Sequence, residues 1–250
     1  MNQKTHAGDA RRGRLAVVQR FAVAEWGTLF GTVWERLRTK KFAAVPMATG
    51  ATLLILAFSI VQHLPHGEQL VERVGVVKAA QPLDVSLLRT PFSLFVPALD
   101  LPVWGALAQV LLVFGIAEIV LGRRATVVIA YACTLAGTLF ARIGVRIGPE
   151  HLFGFPSSVA HLRDTGPSAA VVALAVCVAW KTRAWATGTG VVVVMVAEVI
   201  AIPNLAGMEH LVAITTAVLL AATAEVFGSY WPRVLNGVGA ARLFAGQRTA

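Results

Sequence analysis

The segment Leu101–Gly122 reads LPVWGALAQVLLVFGIAEIVLG and carries a single charged side chain, that of Glu118. A helix needs about 20 mainly apolar residues to cross the hydrocarbon core of a bilayer, so this segment is long enough to be a transmembrane helix. Five further segments are comparably apolar: Phe42–Gln62, Ala125–Ala141, Gly166–Trp180, Ala184–Pro203 and Gly207–Gly228. The pattern predicts an all-α, polytopic membrane protein built as a bundle of six transmembrane helices.

The composition of the whole chain favours the same class. Of its 250 residues, 56% are hydrophobic and only 14% are charged, whereas soluble domains are near 25% charged. These values exclude a disordered chain, a nucleic-acid-binding module and a disulfide-rich secreted scaffold. Cys133 and Cys177 lie in apolar runs, which indicates buried thiols rather than a disulfide or a metal pair. The net charge of +9 therefore indicates loops beside anionic lipid, with no nucleic-acid partner.

The distribution of lysine and arginine predicts the orientation in a cell membrane. Residues Met1–Lys41 hold nine basic and three acidic side chains, whereas the connection His63–Asp100 holds three basic and four acidic ones. Basic residues then recur in every second connection, which the positive-inside rule assigns to the cytoplasm. We therefore expect a basic cytoplasmic segment at residues 1–41, a six-span membrane domain at 42–228 and a cytoplasmic tail at 229–250.

Two regions outside the apolar segments have a pattern of their own. Residues Arg14–Thr39 have apolar side chains at helical spacing and fit either an amphipathic helix on the inner leaflet or a plain basic leader. The connection His63–Asp100 is long, apolar and contains four prolines. It is expected to lie in the membrane interface, with one short helix at Glu68–Val77.

A serine and a histidine are the side chains most suited to chemistry. Ser168 follows Gly166-Pro167 at the start of the fourth apolar segment, and His210 lies at the start of the sixth, so both belong to the same side of the bundle. An imidazole can take the proton of a serine hydroxyl, and N–H groups at a helix start can stabilise an oxyanion. The alternatives are a helix-capping serine and an interfacial histidine. Glu198 is expected to make a structural hydrogen bond.

Several short motifs, taken together, resemble the rhomboid intramembrane serine proteases and their actinobacterial rhomboid-like relatives. The matching stretches run from about Leu87 to Phe227: Leu88-Arg89-Thr90 for the Trp-Arg loop motif, Glu118–Arg123 for Glu-x-x-x-Gly-x, Gly166–Ala169 for Gly-x-Ser-Gly, and His210–Ala217 for His-x-x-Gly-x-x-x-Gly. The resemblance implies a six-helix rhomboid-like bundle and a catalytic dyad of Ser168 and His210. It also implies that Arg89 pairs with Glu118.

The resemblance breaks down in the second apolar segment. The family's His-x-x-x-Asn motif, which helps to form the oxyanion hole, falls on Pro102 and Ala106. The supporting residues that the sequence offers are Gly166 and, after a register shift of about one turn, Gln109. Losing one oxyanion donor costs about 10²–10³ in rate. We expect an intramembrane serine protease that cleaves transmembrane substrates without a metal or cofactor. The alternatives are a catalytically inactive scaffold that binds client transmembrane helices and a small transporter or channel subunit.

Overall fold

A computed structural model describes residues 3–99, 101–151 and 153–226, with side chains described from residue 16 onward. This part of the chain is all-helical and contains ten α-helices. They are α1 Gln3–Lys40, α2 Pro46–Gln62, α3 Gly67–Gly75, α4 Leu83–Ser93, α5 Val103–Gln109, α6 Gly115–Val120, α7 Arg123–Ile147, α8 Ser168–Thr182, α9 Trp185–Ala201 and α10 Leu205–Val226. A π-helical turn, Val110–Phe114, joins α5 to α6 without a break.

Each of the six apolar segments is helical, with bounds close to the predicted ones. Three helical stretches are long and apolar enough to cross a membrane: Val103–Val120, Arg123–Ile147 and Leu205–Glu225. A fourth candidate combines α1 with α2 across a 51° bend, while α8 and α9 are apolar but shorter. The all-α prediction is therefore confirmed, and membrane association follows from these helices. The predicted tail 229–250 lies outside the described residues.

The carboxylate of Glu118, on α6, accepts hydrogen bonds from the first N–H groups of α2. In α2, Pro46 has no N–H group, and the next two N–H groups, those of Met47 and Ala48, donate to the carboxylate of Glu118 at 3.3 and 2.9 Å. The Nε of Arg123 donates to the same carboxylate at 2.8 Å. Because Glu118 is buried, these contacts replace the water that its charge would otherwise bind. We call this side of the bundle, where α2 and α9 begin, the Glu118 end.

A carboxylate from another helix also accepts a hydrogen bond from the start of α9. The N–H of Thr187, in the first turn of α9, donates to Oε1 of Glu25 at 2.6 Å, and the indole of Trp26 donates to the Thr187 hydroxyl at 2.9 Å. The free N–H groups at a helix start and the positive end of the helix dipole both favour an acidic side chain at the position of Glu25. These contacts fix α1 against the Glu118 end.

Helices α7, α8 and α10 form the centre of the bundle through small side chains. Ala170, Ala173 and Ala217 are fully buried, and the thiol of Cys177 on α8 lies 3.6 Å from the carbonyl oxygen of Ala217 on α10. On the α7 side, a Cβ added to Gly137 would lie 3.3 Å from the Cβ of Glu209. Small residues let helix backbones approach closely, which is the usual way that helices pack where the hydrophobic effect contributes little.

The long connection after α2 contains two helices rather than one. The short helix predicted at Glu68–Val77 is confirmed as α3. A second helix, α4, runs over Leu83–Ser93 although Pro91 lies inside it. Pro91 comes in the last turn, where it disrupts little, and its free carbonyl accepts a hydrogen bond from the Tyr131 hydroxyl at 2.9 Å. The sequence pattern thus predicts α3 but not α4.

The Glu118 carboxylate is expected to be a main source of stability at its end of the bundle. Replacing Glu118 with alanine leaves the buried N–H groups of Met47 and Ala48 without an acceptor, which costs about 1–3 kcal/mol. Glu118→Gln keeps one oxygen and should lose less. Thermal unfolding in detergent measures both, with the exposed Glu150→Ala as the matched control. Equal melting temperatures for Glu118→Ala and the control would contradict this role.

Candidate functional site

Ser168 is the first residue of α8 and lies half-buried. The chain reaches it through Gly166, whose φ of +112° is a conformation that favours glycine. The first hydrogen bond of α8 runs from the N–H of Val171 to the carbonyl of Pro167 at 2.8 Å. The N–H groups of Ser168, Ala169 and Ala170 therefore have no carbonyl one turn earlier. A helix start of this kind attracts negative charge. We call this side of the bundle, where α8 and α10 begin, the Ser168 end.

The segment before α8 is held by Asp164. Its N–H donates to the carbonyl of Val77 at 2.9 Å, and its carboxylate accepts a hydrogen bond from the Thr138 hydroxyl at 2.6 Å. Desolvation raises the pKa of Asp164 above the ordinary range of an aspartate, and the Thr138 hydrogen bond and the charge of Arg142 offset part of that shift. Asp164 thus ties the approach to Ser168 both to α7 and to the segment after α3.

Arg142 on α7 fixes the connection between α3 and α4. Its guanidinium donates to the carbonyl of Ala79 at 2.9 Å, to the carbonyl of Gln81 at 2.7 Å and to the Ser86 hydroxyl at 2.7 Å. A guanidinium carries five N–H donors in a rigid plane, so it can bind several acceptors at once. This arginine was not singled out by sequence reasoning, because a basic residue near a helix end is ordinary in a membrane protein.

His210 is buried on α10, and neither ring nitrogen has a hydrogen-bond partner among the described residues. The nearest carboxylate is that of Glu198 on α9, with its Oε2 at 3.9 Å from Nδ1. This contact lies beyond hydrogen-bond distance but within the range of charge attraction. A buried polar ring without partners is costly and therefore calls for an explanation.

Ser168 and His210 lie at nearly the same height in the bundle. Taking the contact between Cys177 and Ala217 as the reference, Ser168 is about 13 Å and His210 about 10 Å toward the Ser168 end, at 1.5 Å per residue. Their directions differ, however. His210 is seven residues from Ala217 and shares its face of α10, whereas Ser168 is nine residues from Cys177 and lies about 180° around α8. No hydrogen bond joins the two side chains.

The acidic neighbour of His210 is also buried. Glu209 packs against Gly137 of α7, and its Oε1 has no hydrogen-bond partner among the described residues. Acidic side chains inside an apolar bundle are expensive and are functional candidates by default. In the sequence, Glu209 belongs to the stretch that resembles the histidine motif, and with Glu198 and Glu225 it is an acid inside an apolar segment that favours the transporter alternative weakly.

The predicted pair of Arg89 and Glu118 is wrong. Glu118 binds Arg123 and the start of α2 at the Glu118 end. Arg89 instead donates from one guanidinium nitrogen to the carbonyls of Glu72 and Val76, at 3.2 and 3.1 Å, beside α3. Both charges are satisfied mainly by nearby backbone groups, so neither needs the other.

The two supporting residues also differ from expectation. Gln109 ends α5 with an exposed side chain. A π-helical turn separates Gln109 from Glu118 and has more residues per turn than an α-helix. The side of the helix on which Gln109 lies therefore cannot be found by counting back from Glu118 at 3.6 residues per turn. The N–H of Gly166 is already used, since it donates to the carbonyl of Ser93 at 2.9 Å. The free donors nearest Ser168 are those of the first turn of α8.

No group of three or more histidine, cysteine, aspartate or glutamate side chains in the described part of the chain is arranged to hold a metal ion. Comparison with known proteins identifies no family. No protein-family model matches the chain, and neither a curated protein sequence nor a solved structure matches it.

Arg142 is expected to keep the connection between α3 and α4 closed over the Ser168 end. Arg142→Lys keeps the charge but cannot reach all three acceptors, which should cost about 1–2 kcal/mol. Limited proteolysis in detergent should then cleave residues 78–86 faster than in the unaltered protein. Arg146→Lys, one turn further along α7 and exposed, is the control. Identical cleavage of the two variants would show that Arg142 does not hold the connection.

Proposed function

We propose that the protein is a rhomboid-like intramembrane serine protease in which Ser168 is the nucleophile and His210 the general base. The observation that carries the proposal is the buried imidazole of His210, which lies at the height of Ser168 and has no hydrogen-bond partner for either nitrogen among the residues that the structure describes. Burying an imidazole without hydrogen bonds costs free energy, and a role in a reaction would explain why the protein bears that cost.

The reaction would follow the usual course of acyl transfer. The Ser168 oxygen bonds to the carbonyl carbon of the scissile peptide as its proton moves to His210. The free N–H groups at the start of α8 stabilise the oxyanion, and His210 gives the proton to the leaving nitrogen. A water molecule then hydrolyses the acyl-enzyme by the same route. Because Ser168 lies about half a turn away from the α10 face of α8, its side chain must rotate or α8 must shift when substrate binds.

The proposal places the protein in a cell membrane with six spans and both termini in the cytoplasm. The Ser168 end then faces outward, and the Glu118 end faces inward with the basic connections. Its partners would be membrane lipids and the transmembrane helices of substrate proteins. The six apolar helices and the alternation of basic connections support this arrangement.

A catalytically inactive scaffold that binds client transmembrane helices is the second candidate. Two observations favour it. Gln109 is exposed and does not supply an oxyanion donor, and the Ser168 side chain lies on the less buried face of α8, with Val172 and Ala175. A scaffold needs the bundle and its lipid-facing surface but no reactive serine.

The topology is tested with reporter fusions. Fusions after residue 41, in the turn at Arg123-Arg124 and after residue 232 should report a cytoplasmic location, because these positions follow basic segments. Fusions near Gly75 and His151 should report an external location. A cytoplasmic signal at Gly75 would contradict the six-span arrangement.

The chemistry is tested with an active-site fluorophosphonate probe on the full-length protein in detergent. Labelling should occur in the unaltered protein and be lost in Ser168→Ala, because the probe bonds only to an activated serine oxygen. His210→Ala should lower the labelling rate by about 10²-fold or more. Ser158→Ala, an exposed serine at the same end, should be labelled like the unaltered chain.

Two results would reject the protease and leave the scaffold. One is an unlabelled wild-type chain under conditions in which a known serine hydrolase is labelled. The other is labelling that survives Ser168→Ala.

A further inference from the structure

Helix α1 carries a row of large apolar side chains, each of which the rest of the described chain leaves at least 38% exposed. The row consists of Val23, Trp26, Phe30, Trp34 and Leu37, whose spacings of three and four residues put them on one side of a helix. We call it the aromatic stripe. Phe30 and Trp34 are its most exposed members, at 65% and 68%.

The neighbouring face of α1 holds the helix to the bundle. Ala22, Glu25, Leu29 and Val33 are the less exposed residues of this region and precede the stripe by one position each. Glu25 binds the start of α9, and Leu29 packs against the core of the bundle. The aromatic stripe is therefore turned about 100° away from this face, although the indole of Trp26 still reaches the Thr187 hydroxyl of α9.

The remaining sides of α1 are different in character. Thr28, Thr32, Glu35 and Thr39 form a polar row about 180° around the helix from the aromatic stripe. Gly27 and Gly31 lie between the two rows. Between residues 22 and 39, the exposed large apolar side chains of α1 thus lie on one flank, which adjoins the face that meets the bundle.

Basic side chains surround the stripe. Exposed arginines and lysines occur at both of its ends: Arg20, Arg36, Arg38, Lys40 and Lys41. Over residues 16–41 the opposing acids are Glu25 and Glu35, and Glu25 is engaged with α9. The surroundings of the stripe are therefore positive.

The geometry points to an anionic lipid surface as the occupant of the aromatic stripe, with α1 lying in the headgroup region beside the Glu118 end. Tryptophan and phenylalanine are the side chains that favour this depth of a bilayer. Arginine and lysine beside them complement phospholipid headgroups of negative charge. This inference does not depend on any reaction at Ser168.

A second copy of the chain fits the stripe less well. The spacing is compatible with a two-helix seam, but such seams are built from Ile, Val and Leu at the contact positions, whereas three of the five positions here are Trp or Phe. In a bundle of three or more copies, α1 would need a wider apolar surface, and the polar row leaves none.

The test measures the environment of single positions in the full-length protein in lipid vesicles. Phe30→Cys and Trp34→Cys place a nitroxide label on the stripe, and Thr28→Cys and Thr32→Cys place it on the polar row. The accessibility of each label to oxygen and to a water-soluble nickel chelate gives its depth. Vesicles are made of phosphatidylcholine alone or with about 30% phosphatidylglycerol. The native cysteines are buried, and the unaltered chain, treated with the label in parallel, reports any reaction there.

In vesicles with phosphatidylglycerol, labels on the stripe should be several-fold less accessible to nickel and more accessible to oxygen than labels on the polar row. The difference should shrink in phosphatidylcholine alone. It should also shrink in the R36Q/R38Q background, because the basic side chains hold the helix to the anionic surface.

Three outcomes would overturn the inference. Equal nickel accessibility on both rows would place α1 in water. Depth that is the same with and without phosphatidylglycerol would remove the role of anionic lipid. Strong dipolar broadening between labels at Phe30, lost on dilution with unlabelled chain, would assign the stripe to a second copy.

Discussion

A peptide N–H group at the start of a helix has no partner within that helix, and in an apolar bundle water cannot supply one. Carboxylates of two glutamates accept hydrogen bonds from such N–H groups of other helices. Glu118 of α6 accepts from the first N–H groups of α2, and Glu25 of α1 accepts from the start of α9. Because Glu118 also binds Arg123, a single side chain joins α2, α6 and the beginning of α7.

The Ser168 end uses the opposite charge for the same purpose. Arg142 and Arg89 donate to backbone carbonyls in the last turn of α3 and in the connection between α3 and α4. Carboxylates thus accept hydrogen bonds from helix starts at one end of the bundle, and arginines donate to carbonyls at the end of α3 and after it at the other. A charge that is already satisfied by backbone groups gains little from a distant partner, which explains why Arg89 and Glu118 remain apart.

Hydropathy was sufficient to predict the six apolar helices and the place of Ser168 and His210 at the same end, because both depend on the chain length that apolar segments need. It did not predict α4, since a proline in a last helical turn costs little. It could not predict the face of Gln109 across the π-helical turn, or the direction of Ser168 around α8. Those features depend on how each helix is rotated about its axis and on which helix packs against it, and hydropathy predicts neither.

The lengths of neighbouring helices have a consequence for the surrounding lipid. Helix α7 has 25 residues, whereas α9 has 17 and buries none of its side chains. At 1.5 Å per residue α9 is about 25 Å long, against a hydrocarbon core of about 30 Å. If α9 crosses the membrane as proposed, the bilayer thins by a few ångströms beside it or side chains at the ends of α9 reach toward the interface, at a modest cost in free energy for each ångström. Hydrophobic mismatch would then favour thinner membranes and shorter acyl chains along that side of the protein.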